Sequence, residues 1–81
     1  MKIKVKFFSA HREVVGKKEI EIELKEKTGV NEMLKMLMND YPKLRKLMDS
    51  TILSLNHNRA NGTELLKDGD EVALCPPVGG G

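Results

Sequence analysis

Two short segments in which apolar and charged residues alternate constrain the fold of this chain more than any other feature. They are KIKVKFF, residues 2–8, and KEIEIEL, residues 18–24. A repeat of two residues is typical of a β-strand with one buried face. The positions predicted to point inward are Ile3, Val5 and Phe7 in the first segment and Ile20, Ile22 and Leu24 in the second. Lysines fill the opposite face of the first strand and glutamates that of the second, so antiparallel pairing would place opposite charges across from each other.

The region between and after these strands predicts helices. The segment SAHREVVG, residues 9–16, is too long for a tight hairpin and predicts a loop with one helical turn that ends at Gly16. Thr28 is the predicted N-cap of the main helix. That helix ends at Tyr41, because the residue before a proline avoids helical backbone angles. Its apolar residues follow the spacing of one helix face, and they are Val30, Met33, Leu34, Leu37 and Met38.

The second half of the chain predicts two more strands, at residues 51–56 and 71–75. A turn-rich segment, HNRANG, follows the first of them, and Leu65 and Leu66 are predicted to pack under the sheet edge. The order β-β-α-β-(short)-β predicts an α+β fold in which one main helix covers a mixed sheet. This order matches the β-grasp, or ubiquitin-like, fold, and the length predicts a single domain over residues 1–81 with a flexible tail at residues 76–81.

Composition and charge exclude several classes of function. Fourteen basic and 12 acidic residues give a net charge of +2, which is too balanced to predict nucleic acid or an anionic membrane as a partner. Cys75 is the single cysteine, so neither an internal disulfide nor a cysteine-based metal site is expected. No run approaches the roughly 18 apolar residues of a membrane span, and the alternating N-terminus is unlike a signal peptide. The expected compartment is the cytoplasm.

The β-grasp order also predicts an apolar patch. In that fold the first and last strands are central, adjacent and parallel, so Phe8 and Cys75 should lie close together on the open face of the sheet. Ala73 would extend the same patch. An apolar patch beside a flexible tail predicts a docking surface for another protein. The alternative is a solitary exposed phenylalanine without function, which is common on protein surfaces.

The C-terminal segment CPPVGGG, residues 75–81, predicts a thin and directed tail. Pro76 and Pro77 cannot continue the sheet because they donate no backbone hydrogen bond, and they hold the chain extended. Val78 is the last side chain. Glycines then occupy the final positions, Gly79, Gly80 and Gly81. Such a terminus can enter a channel that is too narrow for a Cβ atom. A frayed end is the alternative.

The chemistry available to such a tail is that of a carboxylate. A carboxylate is a poor electrophile at neutral pH, since its pKa is about 3.5. It becomes reactive as an acyl adenylate, which a sulfur or an amine can attack. The chain has no phosphate-binding loop, so a partner would have to bind the ATP, and no bound cofactor is expected. His11 and His57 lie far apart without ligand spacing, so no metal site is expected either.

The segments VKFFSAHREVVG and LKDGDEVALCPPVGGG resemble the small subunits of molybdopterin synthase, a family of ubiquitin-like sulfur carriers. The resemblance implies that Gly81 is adenylated by an enzyme similar to ubiquitin-activating enzymes and then converted to a thiocarboxylate, with a sulfurtransferase as a further partner. Gly80 would accompany Gly81 in the thin end of the tail. The thiocarboxylate would donate sulfur inside the large synthase subunit to form the molybdopterin dithiolene. The resemblance also implies a heterotetramer and a chain that is not catalytic alone.

Several alternatives stay open. The same features fit a carrier for thiamine synthesis or tRNA thiolation, or a ubiquitin-like modifier joined to lysines through Gly81. A plain β-grasp binding module would not need the terminal glycines. Cys75 stands where this family often has a larger apolar residue, and it could carry a persulfide or serve as a small apolar residue. Gly79 stands where the family often has alanine or serine.

Overall fold

Five strands and three α-helices form the described part of the chain, residues 1–77, in a computed structural model. The elements are β1 (Lys2–Phe7), α1 (Ala10–Val15), β2 (Glu19–Glu23), α2 (Val30–Asp40), a 3-10 turn (Pro42–Leu44), α3 (Arg45–Met48), β3 (Ile52–Leu55), β4 (Asn58–Ala60) and β5 (Glu71–Cys75). Within residues 1–77, no helix is both long and apolar enough to cross a membrane.

A mixed sheet with the strand order β2-β1-β5-β3-β4 is the frame of the molecule. β1 pairs with β5 in parallel and with β2 antiparallel, and β3 is antiparallel to both β5 and β4. The first and last strands are therefore central and adjacent. The topology confirms the predicted α+β class and the β-grasp arrangement.

The side chains of β1 confirm the predicted inner and outer faces. Ile3, Val5 and Phe7 are at most 2% exposed. The main helix α2 contributes its predicted stripe to the same core, with Met33 and Leu37 buried. Ile20 and Ile22 on the edge strand β2 point into the core but are only half buried. The core is thus centred on β1, β5 and α2, and it is almost entirely aliphatic.

The charges on the open face pair across β1 and β2 in the predicted register. Lys4 lies opposite Glu21, but its ammonium reaches the diagonal neighbour Glu19, with 3.7 Å between Nζ and Oε2. Lys6 lies opposite Glu19 and reaches Glu71 on β5 instead, at 3.5 Å. Such exposed pairs each contribute about 0–1 kcal/mol. Their main effect is on register, because a slip of one residue would bury this row of charges.

The predicted N-cap of the main helix is wrong by one residue. Gly29 is the N-cap of α2, and its amide donates to the side chain of Glu32 at 3.2 Å. The hydroxyl of Thr28 instead donates to the carbonyl of Lys25 at 2.7 Å. A side-chain cap is unnecessary here because a distant loop supplies the acceptors.

That loop precedes β5 and accepts from the first amides of α2. The amide of Val30 donates to the carbonyl of Glu64 at 2.9 Å, and the amide of Asn31 donates to that of Gly62 at 3.0 Å. The Glu64 carboxylate accepts from the amides of Asn61 and Gly62, which lowers its pKa. The start of α2 therefore depends on a contact between segments about thirty residues apart in sequence, which no local signal reveals.

The strand β4 falls where the sequence predicted a turn. The turn lies earlier, at Asn56 and His57, which have φ angles of 51° and 71°. Two left-handed residues between paired strands are typical of a two-residue type I′ hairpin. Residues Asn58–Ala60 are then free to pair with β3. The α1 prediction is confirmed, because Gly16 ends that helix in the left-handed region with its amide donating to Arg12.

Leu65 and Leu66 differ in burial in the structure, although both were predicted to pack under the sheet edge. Leu66 is 3% exposed and its amide donates to the carbonyl of Thr28, whereas Leu65 is 64% exposed. The prediction is therefore wrong for Leu65. Only one of two neighbouring side chains can face inward where an extended segment crosses the start of α2.

These two leucines provide a matched test of the core. Leu66→Ala should lower the free energy of unfolding by about 2–5 kcal/mol, because it leaves a cavity among buried side chains. Leu65→Ala should change it by no more than about 0.5 kcal/mol, because its side chain is already mostly in water. Urea denaturation of both variants checks the difference, and equal losses would contradict the assigned burial.

Candidate docking site at the root of the tail

The parallel pairing of β1 and β5 brings the ends of these two strands to the same edge of the sheet. Phe7 lies opposite Leu74, and the amide of the next residue, Phe8, donates to the Leu74 carbonyl at 3.2 Å. Phe8 therefore follows β1 alongside Cys75, where β5 ends. The Phe8 side chain is 45% exposed.

A second apolar side chain flanks Cys75 from the other side. Ile52 on β3 pairs directly with Cys75, so the two side chains share the open face of the sheet. Both are half buried, and so is Pro76, which follows β5. We call Phe8, Ile52, Cys75 and Pro76 the tail-root patch.

The patch differs from the predicted one at two positions. Ala73 is only 8% exposed between its neighbours Lys6 and Ser54, so the expectation that it extends the apolar surface is wrong. Ile52 extends the surface instead. The pairing of β3 with β5 would have revealed Ile52 from the sequence, since the partner of the last strand residue shares its face.

Charged side chains lie next to Phe8 and at the far end of β5. Next to Phe8, a shallow cleft of about 190 Å³ includes Arg12 and Lys18 in its walls. Neither of these two cations takes part in an ion pair within residues 1–77. An apolar centre with a charged border is the usual composition of a protein interface.

The thiol of Cys75 is a poor nucleophile at this position. Burial raises its pKa, because an apolar environment disfavours the thiolate. The thiolate is the reactive form, so little of it is present at neutral pH. This environment favours the interpretation of Cys75 as a small apolar residue of the patch over a persulfide carrier.

Four residues of the predicted site, Val78, Gly79, Gly80 and Gly81, lie outside the described residues, and their roles stay predictions. The structure does place Phe8, Cys75, Pro76 and Pro77, of which Pro77 is exposed. Their role in docking also stays a prediction. What the geometry establishes is that the tail begins within an apolar patch on the open face of the sheet.

Relatives of known name match this chain over its whole length. It is 39% identical to the "Molybdopterin synthase sulfur carrier subunit" of Chlamydomonas reinhardtii, with 100% of both chains covered. It is 35% identical to the protein of the same name from Caenorhabditis elegans, covering 98% of this chain and 96% of that one. A "Small archaeal modifier protein 3" from Haloferax volcanii is 33% identical, again with 100% of both chains covered.

Solved structures share the same fold. A putative molybdopterin converting factor subunit 1 from Pyrococcus furiosus is 31% identical to this chain and superposes with a TM-score of 0.89. The alignment covers 96% of this chain and 99% of the Pyrococcus chain. SAMP1 from Haloferax volcanii is 27% identical with 100% of both chains covered and a TM-score of 0.87. The sequence profile of the ThiS family matches residues 5–81. With its β-grasp sheet and these full-length similarities, the chain belongs to the ThiS family.

Proposed function

We propose that this protein is the sulfur carrier subunit of a molybdopterin synthase and that the carboxylate of Gly81 carries the sulfur. The observation that supports this most strongly is the full-length similarity to relatives named for that role, at up to 39% identity. The resemblance of the PPVGGG ending to the family pattern supports the choice of Gly81.

The proposed chemistry begins on a partner enzyme. The Gly81 carboxylate attacks the α-phosphorus of ATP and releases pyrophosphate, which leaves an acyl adenylate. Sulfur at the oxidation level of sulfide, delivered by a sulfurtransferase, then attacks the acyl carbon and expels AMP. The product is a thiocarboxylate, and the large synthase subunit uses its sulfur to build the dithiolene. The carrier supplies the reactive terminus and is not a catalyst alone.

In this proposal the folded part of the chain is a recognition module. The tail-root patch docks on the adenylating enzyme and on the large synthase subunit in turn, in a heterotetramer with the latter. Proline fixes φ near −65°, so Pro76 and Pro77 restrict the backbone where β5 ends. A fully extended peptide of four residues spans about 13 Å, enough to enter a neighbouring active site. All of these steps belong to the cytoplasm.

One observation favours a second candidate function. The full-length similarity to a small archaeal modifier protein fits conjugation of Gly81 to lysines of other proteins. The same acyl adenylate would then be attacked by an amine rather than by sulfur. Conjugates that disappear on deletion of Gly81 would favour this modifier function.

The proposed role of Gly81 predicts the effect of lengthening the tail. Adding one alanine after Gly81 should abolish thiocarboxylate formation and synthase activity, because the reactive carboxylate moves and gains a Cβ. The melting temperature should not change, because no residue of the described core is altered. Met36→Ala, an exposed position on α2, is the control. Full activity of the C-terminally extended protein would contradict the proposal.

The tail-root patch predicts the effect of truncating Phe8. Phe8→Ala should raise the Kd for the large synthase subunit about tenfold or more, because burying an aromatic anchor contributes at least ~1.4 kcal/mol. Met36→Ala is the control, since Met36 is similarly exposed, at 48% against 45%, but lies on α2. Titration calorimetry measures both, and equal affinities would argue against docking through Phe8.

The burial of Cys75 predicts slow alkylation. In the folded protein at about pH 7, iodoacetamide should react with Cys75 more slowly than in denaturant, because burial raises the thiol pKa and only the thiolate reacts. Mass spectrometry over time gives both rates. If the folded protein reacts as fast as the unfolded chain, the interpretation of Cys75 as a sulfur-carrying nucleophile would be favoured instead.

A further inference from the structure

His11 has no part in the sulfur chemistry, yet it is almost completely buried. It lies on α1, three residues after Phe8, and is 2% exposed. Its amide donates to the Phe8 carbonyl at 3.1 Å, which closes a tight turn around Ser9. A buried histidine beside a proposed docking residue calls for a physical explanation.

The hydrogen bonds of the His11 ring fix its tautomer. Nε2 lies 2.7 Å from the hydroxyl oxygen of Thr51, and that hydroxyl donates its proton to the carbonyl of Leu47 at 2.6 Å. A hydroxyl has one proton, so Thr51 must accept from His11. We therefore assign the proton of the neutral ring to Nε2.

The other ring nitrogen would be unsatisfied if it carried a proton. Nδ1 of His11 is buried and has no hydrogen-bond partner among residues 1–77. Burial lowers the pKa of His11, and the Phe8 carbonyl offsets part of that effect. The protein therefore holds the ring neutral, and a second proton would be a buried charge with no acceptor of good geometry.

No nearby charge compensates for protonation. His11 forms no ion pair within residues 1–77. The titratable side chains on the elements that surround it, all at least partly exposed, are Arg12 and Glu13 on α1, Lys2, Lys4 and Lys6 on β1, Tyr41 and Lys43 at the 3-10 turn, Arg45 and Lys46 on α3, and Asp49 after α3.

The His11–Thr51 hydrogen bond joins the two sides of the tail-root patch. On one side, the Ser9 turn connects His11 to Phe8. On the other, Thr51 immediately precedes Ile52, which pairs with Cys75. The two hydrogen-bonded side chains are 40 residues apart in sequence. Loss of this bond would remove a contact common to both borders of the patch and leave each held by its sheet contact, Phe8 to Leu74 and Ile52 to Cys75.

Backbone strain in the same turn favours movement once the bond is lost. Ser9 has φ 50° and ψ −123°, a conformation that suits glycine rather than serine. Such residues persist only where the surrounding contacts hold them. The His11 side chain is one of the contacts that hold the far end of this turn to the body of the protein, together with Val15 in the core.

We propose that His11 is a positioning residue: its neutral Nε2–H form clamps Phe8 and Ile52 in the arrangement that partners recognise, and protonation of His11 releases the clamp. The inference rests on the proposed function, because the tail-root patch is the docking surface of that function. It adds a regulatory property, since mildly acidic conditions would weaken docking without any change in the tail.

The sign of the pH effect follows from linkage. The pKa of His11 is lower in the folded protein than its ordinary value near 6.5, so the open form binds more protons. The clamp is therefore fully present above about pH 6.5 and is lost as the pH falls through the folded-state pKa. Glutamine at position 11 can donate to Thr51 but cannot titrate.

The test in the free protein follows the amide signals of Phe8 and Ile52 by NMR from about pH 8 to about pH 5. In the unmodified protein and in His57→Gln, which lacks the exposed histidine, both amide signals should shift together at low pH. Their protection from exchange, taken relative to the intrinsic exchange rate at each pH, should fall at the same time. In His11→Gln they should not respond. Unresponsive amides in the unmodified protein, or an unchanged response in His11→Gln, would overturn the inference.

A second variant guards against a failure of His11→Gln to fold. Thr51→Val keeps the shape of the side chain but removes the acceptor for Nε2, so it should speed exchange at Phe8 and Ile52 even at about pH 8. Slow exchange at both amides in Thr51→Val would show that the bond holds nothing in place, and would also overturn the inference.

Binding of the purified large synthase subunit gives the functional readout. Its Kd for the unmodified protein should rise roughly fivefold or more between about pH 7.5 and about pH 5.5, while its Kd for His11→Gln should change much less. Equal pH dependence of the two proteins would overturn the positioning role. Sulfur loading of Gly81 at neutral pH is measured separately, so its failure would reject the carrier function without altering the free-protein result.

Discussion

The parallel pairing of the first and last strands at the centre of the sheet is the constraint on which the rest of the structure depends. It buries Ile3, Val5 and Phe7 against the β5 side chains Val72 and Leu74, all at most 2% exposed. It also sends the two strand ends to one edge of the sheet. The exposed Phe8 and Pro76, where the tail starts, lie at the same edge of the sheet for that reason.

Backbone contacts between distant segments supplement a small core in this fold. A chain of this length buries only about 60% of its unfolded surface, so its core is small. Long-range backbone contacts supplement that core, as at the start of α2, where the loop before β5 replaces a side-chain cap.

Periodicity in the sequence predicted the strands and the main helix, because alternation and helical spacing report directly on which face is buried. Periodicity gave wrong predictions where contacts between distant segments determine the local structure. Thr28 had the right chemistry for an N-cap, but the 61–65 loop took that role. The segment HNRANG was predicted to be a turn throughout, but the hairpin turn is at Asn56 and His57, and Asn58–Ala60 form β4. The structure places Ile52 in the tail-root patch and Ala73 outside it. Both outcomes depend on neighbours in adjacent strands, which the sequence of one strand does not reveal.

The central claim is that a partner charges the carboxylate of Gly81 and that sulfur then replaces one of its oxygens. The most direct measurement is the intact mass of the full-length protein after incubation with ATP, a sulfide source and its adenylating enzyme. The account predicts a gain equal to the mass of sulfur less that of oxygen, located at Gly81 by fragmentation. An unchanged mass, or added sulfur located on Cys75, would contradict it.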